Sequence, residues 1–335
     1  MKRAKRSGRT SSKPKAGQRA KGAKPAKKAL ARKAKAKLAA NSIRAGAQDW
    51  ALGGRVVTAP KLCDAKAARR RVADWLGGSA NNASAKAIAS LFAANRKLST
   101  LIEGIGESSP FLWELMTADA ARLVRVLRSD PGAHFRALLS ETAAATARTE
   151  NEAEAMRLLR QMKAEGALLI ALCDIGGVWP IMRCTQALTE LADTAVASAV
   201  RFLLNDAAKA GRFTPADRSQ PDKASGYIVL AMGKMGASEL NYSSDIDLIV
   251  LYDAQAAPLG KNLEPAPFFV RLTQRLVKLL QERTGDGYVF RTDLRLRPDP
   301  ASTAIAISTE AAMSYYESSG QNWERAAMKI GRAHV

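Results

Sequence analysis

The chain has 335 residues and a formal net charge of +21, and its length allows about two domains with a buried core. Residues 1–40 hold 16 lysines and arginines and no acidic residue, so the other 295 residues carry only +5. The charge therefore belongs to one segment and does not mark the whole chain as nucleic-acid-binding. The apolar run Ala167 to Cys173 is far shorter than the roughly 20 residues that span a bilayer, so no membrane segment is predicted.

Residues 1–46 are predicted to form a disordered tail. They are rich in Lys and Ala, are interrupted by Gly, Ser and Pro, and lack the apolar residues of a core. One interpretation is an arm that binds phosphate backbones with steep salt dependence. The alternatives are a solvated tail or upstream sequence translated from a misplaced start codon. No apolar run follows the first charges, so no secretory signal is predicted.

Residues 47–185 are predicted to be a helical segment. Apolar residues recur at helical spacing in 151–172, and a similar spacing returns in 188–204 after a break at Gly176, Gly177 and Pro180. The run Gly104-Ile105-Gly106 has no strand before it and lacks the third glycine of a dinucleotide-binding loop. We therefore expect it to be a loop between helices.

Cysteine and histidine usage excludes several kinds of site. Cys63, Cys173 and Cys184 are odd in number and lack CxxC spacing, which favours a reducing, cytoplasmic compartment and argues against structural zinc. Only His134 and His334 are available for a Ser-His-Asp or Cys-His triad, so such chemistry is not expected.

The segment from Gly226 to Asp253 carries the strongest signal. It predicts an apolar strand over Tyr227–Met232, a turn at Gly233 and Gly236, and a second strand that opens on Asp245 and Asp247. Side chains alternate along a strand, so the two aspartates share a face with Cα atoms about 6.6 Å apart. That arrangement lets both carboxylates bind divalent cations. Met235 stands where a Walker loop needs Ser or Thr, so Gly233-Lys234 is not such a loop.

A third carboxylate, Asp293, lies in the predicted strand Tyr288–Pro298. Alternation puts Arg291, Asp293, Arg295 and Arg297 on one face of that strand. A helix over 267–283 would be the crossover that returns the third acid beside the first two. Three crowded carboxylates without a cation would repel, whereas Mg²⁺ or Mn²⁺ would relieve the repulsion.

An Asp-x-Asp at the start of a strand is often only a solvated strand end. Its combination with a glycine turn and a later third acid is the layout of the nucleotidyltransferase fold. The predicted fold class is therefore α+β, with a nucleotidyltransferase-type mixed sheet and helices in residues 186–329, preceded by the all-helical segment and the disordered basic tail.

Three strings make the resemblance specific: GKMGASELNYSSDIDLIVLYD, RTDLRLRPDP and YYESSGQNWERAAM. They resemble the first nucleotidyltransferase unit of the bifunctional glutamine synthetase adenylyltransferase/adenylyl-removing enzymes, and the similarity covers most of residues 90–329. In that family the first unit removes AMP from a tyrosine of glutamine synthetase and the second attaches it. Ser243 stands where the attaching unit usually has glycine, so the resemblance implies the removing unit.

The resemblance implies a two-metal mechanism. Asp245, Asp247 and Asp293 would be the catalytic metal ligands for Mg²⁺ or Mn²⁺, and inorganic phosphate would attack the AMP phosphorus so that ADP forms. The candidate nucleotide-phosphate contacts are Gly233, Lys234, Gly236, Ser244, Arg295 and Arg297, although the three basic residues could equally be surface ion pairs. The implied partners are glutamine synthetase, phosphate, adenine nucleotide and a PII-type signal protein.

The last residues depart from the family, which would continue roughly AMIKARPVAGD where this chain reads AMKIGRAHV. One set of codons for IGRAHV is ATC GGA AGA GCA CAC GTC, which is the read-through of a common sequencing adapter. We therefore expect Ile330–Val335 not to be native sequence and the natural chain to continue.

Two other functions remain open from the sequence. A polynucleotide nucleotidyltransferase would use the same acids on RNA or another acceptor, with the basic tail as a handle. A non-enzymatic nucleic-acid-binding protein would act through the tail alone. The string SSDIDL followed by RTDLRLRP favours the adenylyl-removing interpretation over both.

Overall fold

Helices dominate the computed structural model, which describes residues 50–78, 82–328 and 331–333. The tail predicted for residues 1–46 lies outside the described residues, as do Ile330, His334 and Val335 of the segment predicted to be non-native. Residues from Gln48 to Val335 cluster into one compact unit. Within the described ranges, no helix has the length and apolar character needed to cross a membrane.

Seven helices build the first part of the described chain, and most begin at a polar residue that caps the free backbone N–H groups. Asn82, Asn95, Ser109, Asp119 and Asp130 each accept a hydrogen bond from a backbone N–H in the first turn. The helices are α1 Leu52–Arg55, α2 Ala65–Gly78, α3 Ala83–Ala94, α4 Arg96–Ser108, α5 Pro110–Ala118, α6 Ala120–Arg128 and α7 Pro131–Arg148.

The loop predicted at Gly104-Ile105-Gly106 is wrong, because these residues lie inside α4. A Cβ on Gly104 would come within 3.0 Å of Pro60, and one on Gly106 within 3.0 Å of the Trp113 ring. The two glycines let Pro60 and Trp113 pack directly against the helix, at the cost of a lower helix propensity.

Two long helices, α8 (Glu152–Ile175) and α9 (Ile181–Lys209), form the centre of the helical part. They confirm the predicted helices and the break between them, where Gly177 adopts φ +67°. A Cβ on Gly166 would lie 2.9 Å from Leu191, so the glycine permits close approach of α8 and α9. The domain boundary predicted between residues 185 and 186 falls inside α9, a single continuous helix.

A mixed sheet follows, which confirms the predicted α+β class. Its strands are β1 Tyr227–Ala231, β2 Ile246–Tyr252, β3 Thr292–Asp293, β4 Ile307–Ser308 and β5 Arg332–Ala333. The order is β3-β2-β1-β5, and β4 also pairs with β2. Strands β1 and β2 run antiparallel, whereas β3 and β4 each run parallel to β2.

The parallel pairing of β2 and β3 requires a crossover, and helix α11 (Pro265–Gln281) supplies it as predicted. The helix begins two residues before the predicted Pro267, because Pro265 occupies its first turn. Phe269 of this helix stacks on Tyr227 and Tyr252, with ring centroids 5.6 and 5.0 Å away. These contacts fix the crossover against the sheet.

The strand predicted over Tyr288–Pro298 is mostly wrong, because only Thr292 and Asp293 form a ladder. Arg295 turns back to Asp293, and Arg297 donates to backbone carbonyls of the following loop. The remaining elements are α10 (Gly233–Gly236), a single turn between β1 and β2, and the terminal helices α12 (Thr309–Ser318) and α13 (Asn322–Met328).

Candidate active site

The three predicted acids come together at one end of the sheet. Asp247 and Asp293 are register partners in the parallel ladder of β2 and β3. Asp245 lies one residue before β2, and Ile246 between the two aspartates is fully buried. The Ile246 N–H donates to the carbonyl of Arg291 at 2.9 Å, which fixes the relative position of the segments that carry the acids.

The turn between β1 and β2 passes directly beside Asp247. Gly233 adopts φ +53°, and a Cβ at this position would lie 2.7 Å from Oδ2 of Asp247. The Met232 N–H donates to the Asp247 carbonyl at 2.8 Å and anchors the turn. Only glycine therefore fits here without moving the aspartate.

The charges of the three acids are coupled. Burial raises the pKa of Asp247 above its usual value, and the neighbouring carboxylates of Asp293 and Asp245 raise it further. The positive charges of Arg295 and Lys234 act in the opposite direction. The Asp247 carboxylate accepts no hydrogen bond from any residue within 50–78, 82–328 or 331–333. The Asp247 carboxylate is thus half-buried, lies close to two other carboxylates and has no hydrogen-bond donor.

An arginine holds each of the other two acids. Arg295 donates from Nη2 to Asp293 at 2.5 Å and from its backbone N–H at 2.8 Å, and these hydrogen bonds lower the pKa of Asp293. Arg291 donates from Nε to Asp245 at 2.5 Å and from Nη2 to the Ser243 carbonyl at 3.0 Å. With the side chains placed this way, no three His, Cys, Asp or Glu side chains of the described chain converge on one metal position.

The donor set nevertheless fits a divalent cation. Carboxylate oxygens are the ligands that Mg²⁺ prefers, and a cation would relieve the repulsion that raises the pKa of Asp247. The side chains of Arg291 and Arg295 are 57% and 83% exposed, so both can rotate away from their aspartates without disturbing the core.

The other predicted phosphate contacts are placed unequally. Lys234 is close enough for its charge to act on Asp247. Ser244 donates from Oγ to Asn241 Oδ1 at 2.7 Å in the turn before β2. Gly236 ends α10, and its N–H donates to the Met232 carbonyl.

Arg297 is not brought to the acids. Its guanidinium donates to the carbonyls of Leu294, Pro300, Thr303 and Ala304, so it stabilises the loop after β3. A role for Arg297 in phosphate binding stays a prediction.

Two features of this region were not predicted from the sequence. Arg291 was placed on the same face as Asp293 but was given no role, although it positions Asp245. A cavity of about 700 Å³ also adjoins the acids and is lined by Ser243, Ser244 and Arg291 together with residues of α5 and α8. No local pattern signals the cavity, because its walls come from segments more than 100 residues apart.

The remaining nucleophile candidates are in structural positions. Cys173 and Cys184 are buried, and burial raises the pKa of the Cys184 thiol to about 12. His134 lies 2.7 Å from Glu165 within the helical part.

Comparison with known proteins identifies the family. The family model described as "Glutamate-ammonia ligase adenylyltransferase" matches residues 99–335. A bifunctional glutamine synthetase adenylyltransferase/adenylyl-removing enzyme of Rhodopseudomonas palustris (strain BisB5) is 53% identical over 293 residues, covering 88% of this chain and 30% of that protein. Proteins of the same name from Bradyrhizobium sp. (strain ORS 278) and Xanthobacter autotrophicus (strain Py2) are 54% and 57% identical, covering 83% and 67% of this chain and 28% and 22% of theirs.

The chain thus spans about three tenths or less of the length of these curated relatives. The match confirms the resemblance carried by the three sequence strings, the longest of which contains Asp245 and Asp247. The chain belongs to the glutamate-ammonia ligase adenylyltransferase family.

Proposed function

We propose that this chain removes AMP from a tyrosine of adenylylated glutamine synthetase by phosphorolysis. The observation that carries the proposal is the pairing of Asp247 with Asp293 across β2 and β3, in a site where burial and the neighbouring carboxylates raise the pKa of Asp247. The relatives are named for both attachment and removal of the adenylyl group on glutamine synthetase. Ser243 in the ELNYSSDIDL string favours removal, as the sequence predicts.

The reaction is a displacement at phosphorus. An oxygen of inorganic phosphate forms a bond to the AMP phosphorus, the bond from phosphorus to the tyrosine oxygen breaks, and that oxygen takes up a proton. The products are ADP and unmodified tyrosine. Little covalent chemistry is needed from the protein, so catalysis depends on positioning and charge.

The residues divide between metal ligation and phosphate contact. Asp245, Asp247 and Asp293 would hold Mg²⁺ or Mn²⁺, which supplies charge neutralisation at the attacking and leaving oxygens when bound. Gly233 and Gly236 would let the backbone of the turn come close to a phosphate oxygen, although the Gly236 N–H itself is donated to the Met232 carbonyl. Lys234 and Arg295 would bind the phosphates. To do so, Arg295 would break its hydrogen bonds to Asp293 and donate to a substrate phosphate. Arg291 keeps Asp245 in position.

The partners follow from the same proposal. Glutamine synthetase is the protein substrate, phosphate and adenine nucleotide are the small molecules, and a PII-type signal protein is the proposed regulator. The last of these rests on the sequence resemblance.

The direction of the reaction provides the test. We expect the purified chain to release labelled ADP from adenylylated glutamine synthetase when phosphate and Mg²⁺ are supplied. It should not transfer AMP from labelled ATP onto the unmodified enzyme. Transfer without removal would show that the attaching activity was the correct assignment, and neither activity in a folded, helical sample would contradict the proposal for this chain.

A further inference from the structure

The cavity beside the acids has the size and walls of a small-molecule site. Its volume of about 700 Å³ falls within the range of roughly 300–1,000 Å³ for such sites. Helices α5 and α8 supply apolar lining residues, including Leu112, Leu115 and Ala167. The segment 283–291 that leads into β3 also lines it and packs against α8. Five cationic side chains line the cavity against two carboxylates, so it favours an anion.

Three of those cations already make contacts within the protein, and a fourth, Arg283, is exposed to solvent. Arg160 is 1% exposed and donates to the carbonyls of Met156, Leu279, Gly287 and Glu282. Arg122 lies within 4.0 Å of Glu165, and Arg291 holds Asp245. Each of these three arginines would have to break an existing contact before it could bind a ligand.

Lys163 differs from them. Its Nζ lies 4.0 Å from the centroid of the Phe290 ring, and Phe290 is buried. Throughout the described ranges, no carboxylate or hydrogen-bond acceptor pairs with this ammonium group. The desolvation lowers its pKa to about 8, so about nine in ten side chains still carry the proton at pH 7. A desolvated cation without an anion, on the wall of a cavity, is costly unless a ligand compensates it.

The cavity lies next to the segments that carry the acids. Phe290, which carries Lys163 on its face, is adjacent in sequence to Arg291, and Arg291 bonds Asp245. Ser243 and Ser244, which immediately precede Asp245, also line the cavity. A molecule that contacts Lys163 in the cavity therefore lies beside the residues that flank Asp245.

We propose that this cavity binds the phosphate-bearing substrate of the reaction, with Lys163 as the cation that recognises a phosphoryl oxyanion. The inference rests on the proposed function, because it assigns the cavity to a ligand of the same site. The shared chemistry is a phosphate group, which comes either from inorganic phosphate or from the adenine nucleotide.

Equilibrium binding of radiolabelled inorganic phosphate and of ADP to the full chain tests this proposal. Lys163→Met keeps the approximate length of the side chain and replaces the ammonium group on the Phe290 ring by an apolar group, so the variant should fold. We expect it to weaken binding of at least one of the two probes by about tenfold or more, the effect of losing a charged hydrogen bond. If only phosphate binding is weakened, Lys163 recognises inorganic phosphate. If ADP binding is weakened, Lys163 recognises the nucleotide. Lys278→Met, which removes an exposed lysine paired with Glu152, is the control and should bind both probes normally.

A chemical probe provides a second readout. Pyridoxal phosphate carries both a phosphate and an amine-reactive aldehyde, so after borohydride reduction it should label Lys163 in preference to Lys278. The probe whose binding requires Lys163 should protect against labelling. Asp293→Asn should abolish AMP removal but leave the labelling intact, which separates this inference from the proposed function. Wild-type binding of both probes by Lys163→Met, or labelling of Lys163 no faster than of Lys278, would overturn the inference even if AMP removal is observed.

Discussion

At the scale of single residues, Gly233 and Asp247 define the candidate site together. Gly233 needs its left-handed conformation, with φ +53°, and leaves no room for a side chain beside Oδ2 of Asp247. Asp247 is half-buried, has like-charged neighbours and accepts no hydrogen bond within the described part of the chain. Both features cost stability, as is common where a site is arranged for a ligand.

We predict that Gly233→Ala strongly reduces the rate of AMP removal while lowering the free energy of unfolding only slightly. The new Cβ would lie 2.7 Å from Asp247 Oδ2 and displace that carboxylate, while the backbone strain costs about 1 kcal/mol. Gly211→Ala is the matched control, because Gly211 has φ +68° and open space around it. Chemical denaturation should show a similar loss for both variants, whereas only Gly233→Ala should lose turnover. Equal turnover in the two variants would refute a role for this close approach.

The charge of Asp247 leads to a second prediction. An acid whose pKa is raised by folding destabilises the folded state once it ionises, so without metal Asp247→Asn should melt at the same or a higher temperature at pH 7. The advantage should vanish on acidification below the usual pKa of 3.8, where the wild-type carboxyl is protonated in both states. Added Mg²⁺ should raise the melting temperature of the wild type and not of the variant. Equal Mg²⁺ shifts in differential scanning fluorimetry would show that Asp247 is not a ligand.

At the scale of elements, the parts of the site that the sequence predicts correctly are those with a local sequence pattern. Alternating residues and paired glycines identified β1, the turn and β2, and the apolar period identified α11 as the crossover. The strand predicted over 288–298 failed because Arg295 and Arg297 satisfy local acceptors and turn the chain. The cavity could not be predicted, since α8 meets the segment 283–291 only in the folded chain.

Arg160 joins these distant elements, and this gives a third prediction. Its buried guanidinium on α8 donates to carbonyls of α11 and of the segment 282–287. We expect Arg160→Met to lower the free energy of unfolding by about 3 kcal/mol or more, because the buried carbonyl of Leu279 and the part-buried carbonyls of Glu282 and Gly287 lose their donor. Arg157→Met on the same helix removes an exposed pair with Glu154 and should change it by about 0.5 kcal/mol or less. Similar urea midpoints for both variants would show that Arg160 does not connect the two parts.

At the scale of the whole molecule, the charge and the chemistry lie in different segments. Sixteen basic residues fall within residues 1–40, whereas the three acids lie between residues 245 and 293. Deletion of residues 1–46 should therefore leave the rate of AMP removal unchanged. Any binding of DNA by the intact chain should be lost with the tail and should weaken steeply between about 50 and 200 mM salt. A deletion variant that is folded but unable to remove AMP would show that the tail takes part in the reaction.

The most direct measurement is the rate of ADP release from adenylylated glutamine synthetase by Asp247→Asn, with phosphate and Mg²⁺ at saturation. The substitution deletes the charge of a carboxylate that lies in register with Asp293 and removes no core contact. Asp74→Asn, an exposed aspartate on α2, is the control and should retain the wild-type rate. We predict that Asp247→Asn loses activity by about a thousandfold or more while its circular dichroism stays unchanged. Wild-type turnover by a folded Asp247→Asn variant would contradict the assignment of the three aspartates as the catalytic site.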